Sequence, residues 1–339
     1  MTGAGEARLS KQKATLRTIA SELDVAPSTV LRALSRKPNV RPELREKIAA
    51  CAAVHGYSLP NHHTGNVAVI TAEVGIFNYL SYLLVALSNE LHKEGFRVCI
   101  LSEKDADVLN DYLYDGVIST TWSGVLERKF AEIHALPFVS LNGINNRRDN
   151  IFSVCSDDFG GITRGLQYLY DAGARRIAFI VSSRAEGNRG CMERISAFRQ
   201  FCAKHDLPEE DFCLCKEGSS FKELVAKAVE LKADAIFYVN EGNIPELYHE
   251  LRQQSLRVPE DISVIGLEAW SISRFLDPPL TSLRQDFEGL ARESVAMLKK
   301  LIAGKKVNAD VRLPYTLIER ASVRRREAPA DKNKNRTCG

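Results

Sequence analysis

The sequence predicts an α/β chain in two unequal parts: a small three-helix head within the first sixty residues, and a much larger body of alternating strands and helices. Three observations carry that prediction. Apolar residues recur at helical spacing in three short runs before residue 55. From residue 67 onward, β-branched runs alternate with helical segments of ten or more residues. Charge, finally, is divided between the parts. Residues 1–66 hold ten Lys/Arg against five Asp/Glu, residues 67–323 hold thirty against thirty-six, and residues 324–339 hold six against two. The formal net charge of +3 thus hides a basic head on an acidic body, which suggests a polyanionic partner for the head alone.

The 339 residues exceed the roughly 100–200 of one average domain, and 45% hydrophobic with 26% charged residues excludes wholesale disorder or a fibrous repeat. No apolar run reaches the roughly 18–20 residues that span a bilayer, and Met1 to Lys13 is polar without an apolar core. The expectation is a soluble, cytoplasmic protein with no membrane partner. Eight cysteines are scattered along the chain and are expected as reduced thiols. Cys213-Leu214-Cys215 is their one close pair; it lacks the CxxC spacing and a nearby His, so packing is expected there and no metal.

Leu16, Ile19, Ala20 and Leu23 fall on one face of a first helix, with Thr15 placed to cap it. Asp24-Val25-Ala26 breaks the pattern, and Pro27 suits the first position of a second helix, where its missing N–H costs nothing. Val30 and Leu34 turn that helix inward. After a loop at 36–40, Pro42 opens a third helix facing the core with Leu44, Ile48 and Cys51 or Ala52. Two short helices joined by a three-residue turn, with small Ala20 opposite Val30, predict a helix-turn-helix. A generic three-helix bundle would share the pattern. The outward face of the second helix argues against it: Ser28, Thr29 and Arg32 can all contact DNA, and no acidic residue stands among them.

At this point the chain resembles the DNA-binding head of the LacI/GalR (lactose-repressor) family, which reads T-x-x-x-[VI]-A-x-x-A-x-V-S-x-x-T-V-S-R-x-L-N and later G-Y-x-P-N. Thr15, Ile19, Ala20, Val25, Thr29, Val30, Arg32 and Leu34 match; Leu23, Ala26, Leu31 and Ser35 depart, and Gly56-Tyr57-Ser58-Leu59-Pro60-Asn61 has one extra residue. The resemblance implies a head over 10–60 that binds double-stranded operator DNA. Pro27, Ser28 and Arg32 take the base-reading positions, and Thr15, Arg17, Thr29 and Asn39 contact the phosphate backbone. Most direct readout is expected of Arg32, which can grip guanine O6 and N7 together.

Relatives follow Pro-Asn with an alanine-rich hinge helix that wedges a leucine into the minor groove. Here His62-His63-Thr64-Gly65-Asn66 leads straight to a strand, so the linker at 61–66 is too short for that helix by seven or eight residues. The expectation is DNA binding without the wedge.

In the body, strands are predicted at 67–72, 97–101, 117–120, 138–141, 177–181, 235–239 and 263–267. Helices are predicted at 79–93, 126–134, 162–172, 191–205, 221–231, 244–254 and 289–302. Strands separated by such helices form parallel sheets with right-handed crossovers. No G-x-G-x-x-G follows the first strand, and no P-loop, G-x-S-x-G or H-E-x-x-H occurs, so neither a cofactor nor catalysis is expected.

The resemblance continues through 154–161, through Leu169 to Ile180 (with Tyr168 and Ala174 where the family has histidines), through 257–266 and through 278–283. It implies a two-subdomain, periplasmic-binding-protein-like (type I) α/β body at 67–323 that dimerises and holds a small effector in the interlobe cleft. Ligands in such sheets lie at the C-terminal strand ends. Family effector positions map onto Asn142, Arg194, Asn240 and Glu268. Arg194 suits vicinal hydroxyls or a carboxylate, with pairing to Asp157 or Asp158 as the alternative.

One inference needs no resemblance. The two tryptophans, Trp122 and Trp270, and also Phe77 each stand just after a predicted strand, placed to stack on a sugar's apolar face or a planar base. Packing between the subdomains is the alternative. A sugar or sugar derivative is the expected effector, with an acid or sugar phosphate left open by Arg184, Arg189 and Arg194. The tail at 324–339 is basic, expected to be disordered, and lacks the leucine heptad of a tetramer-forming coil. The expected function is a homodimeric transcription regulator, a repressor. The alternative is a small-ligand-binding protein on the same scaffold that has lost specific DNA binding.

Overall fold

The computed structural model describes residues 15–34, 40–55, 57, 64–72, 79–109, 113–121, 126, 136–143, 151–181, 189–239, 243–268, 272–307 and 310–324. In the head, α1 (Leu16–Glu22), α2 (Pro27–Leu34) and α3 (Pro42–Val54) close on a small core of Ile19, Ala20, Val30, Ala33, Ile48, Cys51 and Ala52. Thr15 caps α1 through a reciprocal box with Thr18, in which each side chain accepts from the other's backbone N–H. Asp24 takes the left-handed conformation (φ 50°) in the turn, and Val25 N–H donates to Ala20 O at 3.0 Å. Aspartate is among the few non-glycine residues that accept that backbone readily.

The body holds two six-stranded sheets. The first runs β2 (Arg97–Ser102), β1 (Asn66–Thr71), β3 (Gly116–Ser119), β4 (Phe138–Leu141), β5 (Phe152–Ser156) and β11 (Val311–Leu313), all parallel. The second runs β7 (Cys213–Cys215), β6 (Ile177–Val181), β8 (Ala235–Tyr238), β9 (Ser263–Leu267) and β10 (Thr281–Arg284), also parallel, with β12 (Thr316–Ile318) antiparallel on the edge. Central strands such as β6 and β9 are buried at every residue, as strands covered on both faces must be.

Each sheet is sandwiched. On the first, α4 (Tyr79–Lys93) and α9 (Phe287–Ile302) cover one face. On the second, α5 (Asp158–Asp171) and α6 (Arg189–His205) cover one face, and α7 (Phe221–Glu230) with α8 (Ile244–Gln253) the other. The chain crosses between the lobes three times: from β5 to α5, from β10 to α9, and from β11 to β12. Among the described residues no helix is long and apolar enough to cross a membrane.

The elements expected from periodicity form within a few residues of their predicted bounds, except that of the 126–134 helix only Leu126 is described. Five strands went unpredicted. β5, β7 and β10–β12 are three to five residues long, and several of their positions are buried Ser or Thr, so no apolar run announces them. Helix α5 begins four residues before the predicted 162. Gly160 and Gly161 lie in its first turn, behind an Asp157 cap that accepts from Gly160 N–H at 3.1 Å.

Candidate nucleic-acid interface and effector cleft

Within the head, burial of Val30 and Ala33 fixes which side of α2 faces water. Pro27, Ser28 and Arg32 are exposed, and Thr29 is half-buried. Ser28 and Arg32, four residues apart, therefore share one outward face. Thr15 and Arg17 are exposed beside it in sequence at the start of α1, whereas Asn39 lies outside the described residues. The end of α2 is held from behind, where Arg45 of α3 donates to Ala33 O at 3.3 Å. An exposed guanidinium on a helix with no acidic residue is a suitable donor for a base edge or a phosphate.

In the body, the described candidates sit at two corners of the crossover region. Asn142 follows β4 in the left-handed conformation (φ 53°). Its amide donates to Tyr79 Oη at 2.5 Å and to Gln285 Oε1 at 3.0 Å, while its carbonyl accepts from Ser156 N–H at 2.7 Å. Ser156 Oγ also donates to Gln285 Oε1, at 2.6 Å. Asn142 thus stitches the end of β4 to the first two crossovers.

Arg194 lies on α6. Its Nε donates to Asp158 Oδ1 at 2.8 Å, with the two side chains only 14% and 13% exposed, and its Nη1 donates to Val239 O at 3.0 Å. Tyr315 Oη donates to the same Asp158 oxygen at 2.7 Å. Asp158 is two residues beyond Ser156, so the Asn142 and Arg194 clusters flank one crossover. Arg194 therefore pairs with Asp158, one of the two partners named as its alternative, but within the second lobe and not across the cleft.

Glu268, at the end of β9, is elsewhere and buried. Arg320 grips its two oxygens at 2.8 and 2.9 Å, and Ser282 Oγ donates to one of them. Arg320 also reaches Leu280 O, so the pair ties β9 to β10 and to the chain after β12. Phe77, Trp122, Asn240 and Trp270 lie outside the described residues, as do Arg184, His62 and His63.

Sequence reasoning missed Gln285, Tyr79, Ser156 and Tyr315. Their partners stand up to 157 positions away along the chain, and no local motif signals such contacts. It also missed Arg312 of β11, which makes a two-pronged ion pair with Glu193 of α6 at 3.0 and 3.2 Å across the lobes. Hydrogen bonding to that carboxylate holds the Arg312 guanidinium above its usual value.

The profile of the periplasmic binding protein-like domain matches residues 166–323. Catabolite control protein A of Priestia megaterium is 24% identical over 332 residues, covering 91% of this chain and 99% of its own length. Among solved structures, a complex of the transcriptional regulator CelR with cellobiose superposes with a TM-score of 0.69 at 23% identity, covering 91% of this chain and 99% of that one. The lac repressor dimer bound to operator and the anti-inducer ONPF gives 0.66 at 19% identity, covering 92% and 99%. Similarity therefore runs through head and body together, and the relatives are transcription regulators.

Proposed function

We propose that this chain is a transcriptional regulator of the LacI family that works in the cytoplasm as a homodimeric repressor, binds a two-fold operator and answers to a small effector, with no catalytic activity of its own. The observation that carries the reading is the exposed Ser28–Arg32 face of α2 on a head whose core is closed. Arg32 reads guanine, Pro27 and Ser28 add apolar and adaptable contacts, and Thr15, Arg17, Thr29 and Asn39 set the register on phosphates. The head occupies 10–60 and the two-lobed body 67–323. Two heads on one dimer call for half-sites about one helical turn apart or a multiple of it.

The effector is a sugar or sugar derivative held between the lobes. Asn142 and Arg194 serve as polar contacts beside the first crossover, joined by Asn240 and by Phe77, Trp122 and Trp270 as stacking faces, whereas Glu268, buried and clamped by Arg320, is given no part in holding the effector. Arg194 and Asn142 are already engaged with Asp158, Tyr79 and Gln285. A ligand that shares or displaces those contacts gains differential affinity for one lobe arrangement, which is what couples it to DNA. The 61–66 linker favours DNA binding without a minor-groove wedge.

The test is a gel shift of the full chain on DNA upstream of its own gene, at fixed salt because phosphate contacts are salt-sensitive. Retardation that survives nonspecific competitor and weakens in Arg32→Ala supports the reading. Equal binding to any duplex would favour the scaffold as a ligand-binding protein without specific DNA recognition.

A further inference from the structure

The head carries a cluster that its DNA-reading face does not use. Glu22 is the last residue of α1; Cys51 lies in the final turns of α3, and His55 follows one turn later, its N–H donating to Cys51 O at 3.1 Å. The spacing of four therefore stacks the thiol and the imidazole on one side of α3, facing the end of α1. A Glu22 oxygen, Cys51 Sγ and a His55 ring nitrogen all lie within 4.8 Å of one another, with Nε2 of His55 and Oε2 of Glu22 2.5 Å apart. From this geometry we infer that Glu22, Cys51 and His55 form a zinc site that clamps α1 to α3 in the DNA-binding head.

The donor set selects the ion. One thiolate, one imidazole and one carboxylate suit borderline-soft Zn²⁺, whose bonds of about 2.0–2.3 Å place tetrahedral ligand atoms roughly 3.3–3.7 Å apart. Side-chain rotations of the order of an ångström bring the existing triangle to that size, opening the 2.5 Å imidazole–carboxylate edge. Cys51 is 7% exposed whereas Glu22 and His55 are exposed, so the ion enters from solvent and seats on a buried sulfur. Water takes the fourth position.

Charge also favours the ion. On binding, the thiol proton passes to solvent, the imidazole coordinates in its neutral form, and thiolate plus carboxylate balance the 2+ charge. The clamp matters because α1 and α2 are seven and eight residues long, well below the about 12–15 at which isolated helices hold. Helix α2 supplies no ligand, so the Ser28–Arg32 face stays available. The inference does not depend on what the cleft binds.

The test uses reduced, chelator-stripped full-length protein titrated with Co²⁺ as a spectroscopic stand-in. The expected result is a thiolate-to-cobalt charge-transfer band with tetrahedral ligand-field bands, saturating at one ion per chain and bleached by Zn²⁺. Cys51→Ala abolishes the charge-transfer band, and His55→Gln and Glu22→Gln each weaken binding by tenfold or more. The last two positions are exposed, so these variants keep their helical circular dichroism even if Cys51→Ala loosens the head. Zn²⁺ should raise the Tm of wild type and not of His55→Gln. Absence of a thiolate band overturns the inference, and so does a band that forms with undiminished affinity in His55→Gln and Glu22→Gln, since the metal is then held by other cysteines.

Discussion

Arg32 and Glu268 show how exposure divides two kinds of charged residue. Arg32 projects from α2 into solvent, so Arg32→Ala should leave Tm within a degree or so and weaken specific DNA binding roughly 5- to 150-fold, the value of about 1–3 kcal/mol for a bidentate base contact. Fluorescence anisotropy on labelled operator alongside a thermal melt checks both halves. Glu268 faces the reverse case. Its side chain is 6% exposed and accepts from Arg320 at both oxygens. Glu268→Gln leaves the Arg320 charge short of its counter-ion, and a urea titration should find about 3 kcal/mol or more lost. Residue chemistry was legible in the sequence where a side chain acts outward from a patterned helix, as Arg32 does. It was not legible for Asn142 or Arg194, whose partners Gln285 and Tyr315 are brought in by crossovers more than a hundred residues away.

At the scale of elements, caps and close approaches decide the boundaries. Thr15→Ala removes one half of the α1 capping box and should cost about 1 kcal/mol of head stability, read from the urea midpoint. Gly161 sits where a Cβ would come within 2.4 Å of the Tyr315 ring, so Gly161→Ala must push apart α5 and the β11–β12 crossover. A loss of about 1–3 kcal/mol is expected by the same titration, typical of overpacking. The predicted start at 162 leaves out Gly161, whose missing Cβ is a packing requirement inside the helix. Long elements such as α4 and β6 were legible because their apolar spacing is set by full burial on one side or both. The crossover strands were not, because buried Thr281, Ser282 and Ser156 stand where apolar residues would mark them. Ahead of β9, Asp261 accepts from the guanidinium and backbone N–H of Arg257, which hold its carboxyl far below the usual range. A depressed carboxyl stabilises the fold above its unfolded value near about 3.9 and loses that contribution as the pH falls further. The Tm difference between wild type and Asp261→Asn should therefore be constant above about pH 5 and shrink below about pH 4.

For the whole molecule, the basic head and acidic body seen in the composition correspond to a separately cored three-helix unit and two sandwiched sheets. Alternation of strands and helices made the doubly wound lobes legible. The three crossings that join them were not legible, since a crossover leaves no periodicity of its own. On the proposed reading, effector binding between the lobes changes the spacing of two heads, with the Arg312–Glu193 and Arg194–Asp158 pairs as contacts that differ between states. The central claim is that head and cleft work on one another. Titrating the full chain onto its own upstream DNA at fixed salt, with and without a panel of sugars and sugar acids, tests it most directly. The account predicts a two-chain complex that Arg32→Ala weakens and that at least one ligand shifts by fivefold or more in affinity, with that shift reduced in Arg194→Met. A complex indifferent to DNA sequence and to position 32, and unmoved by every ligand, would contradict it.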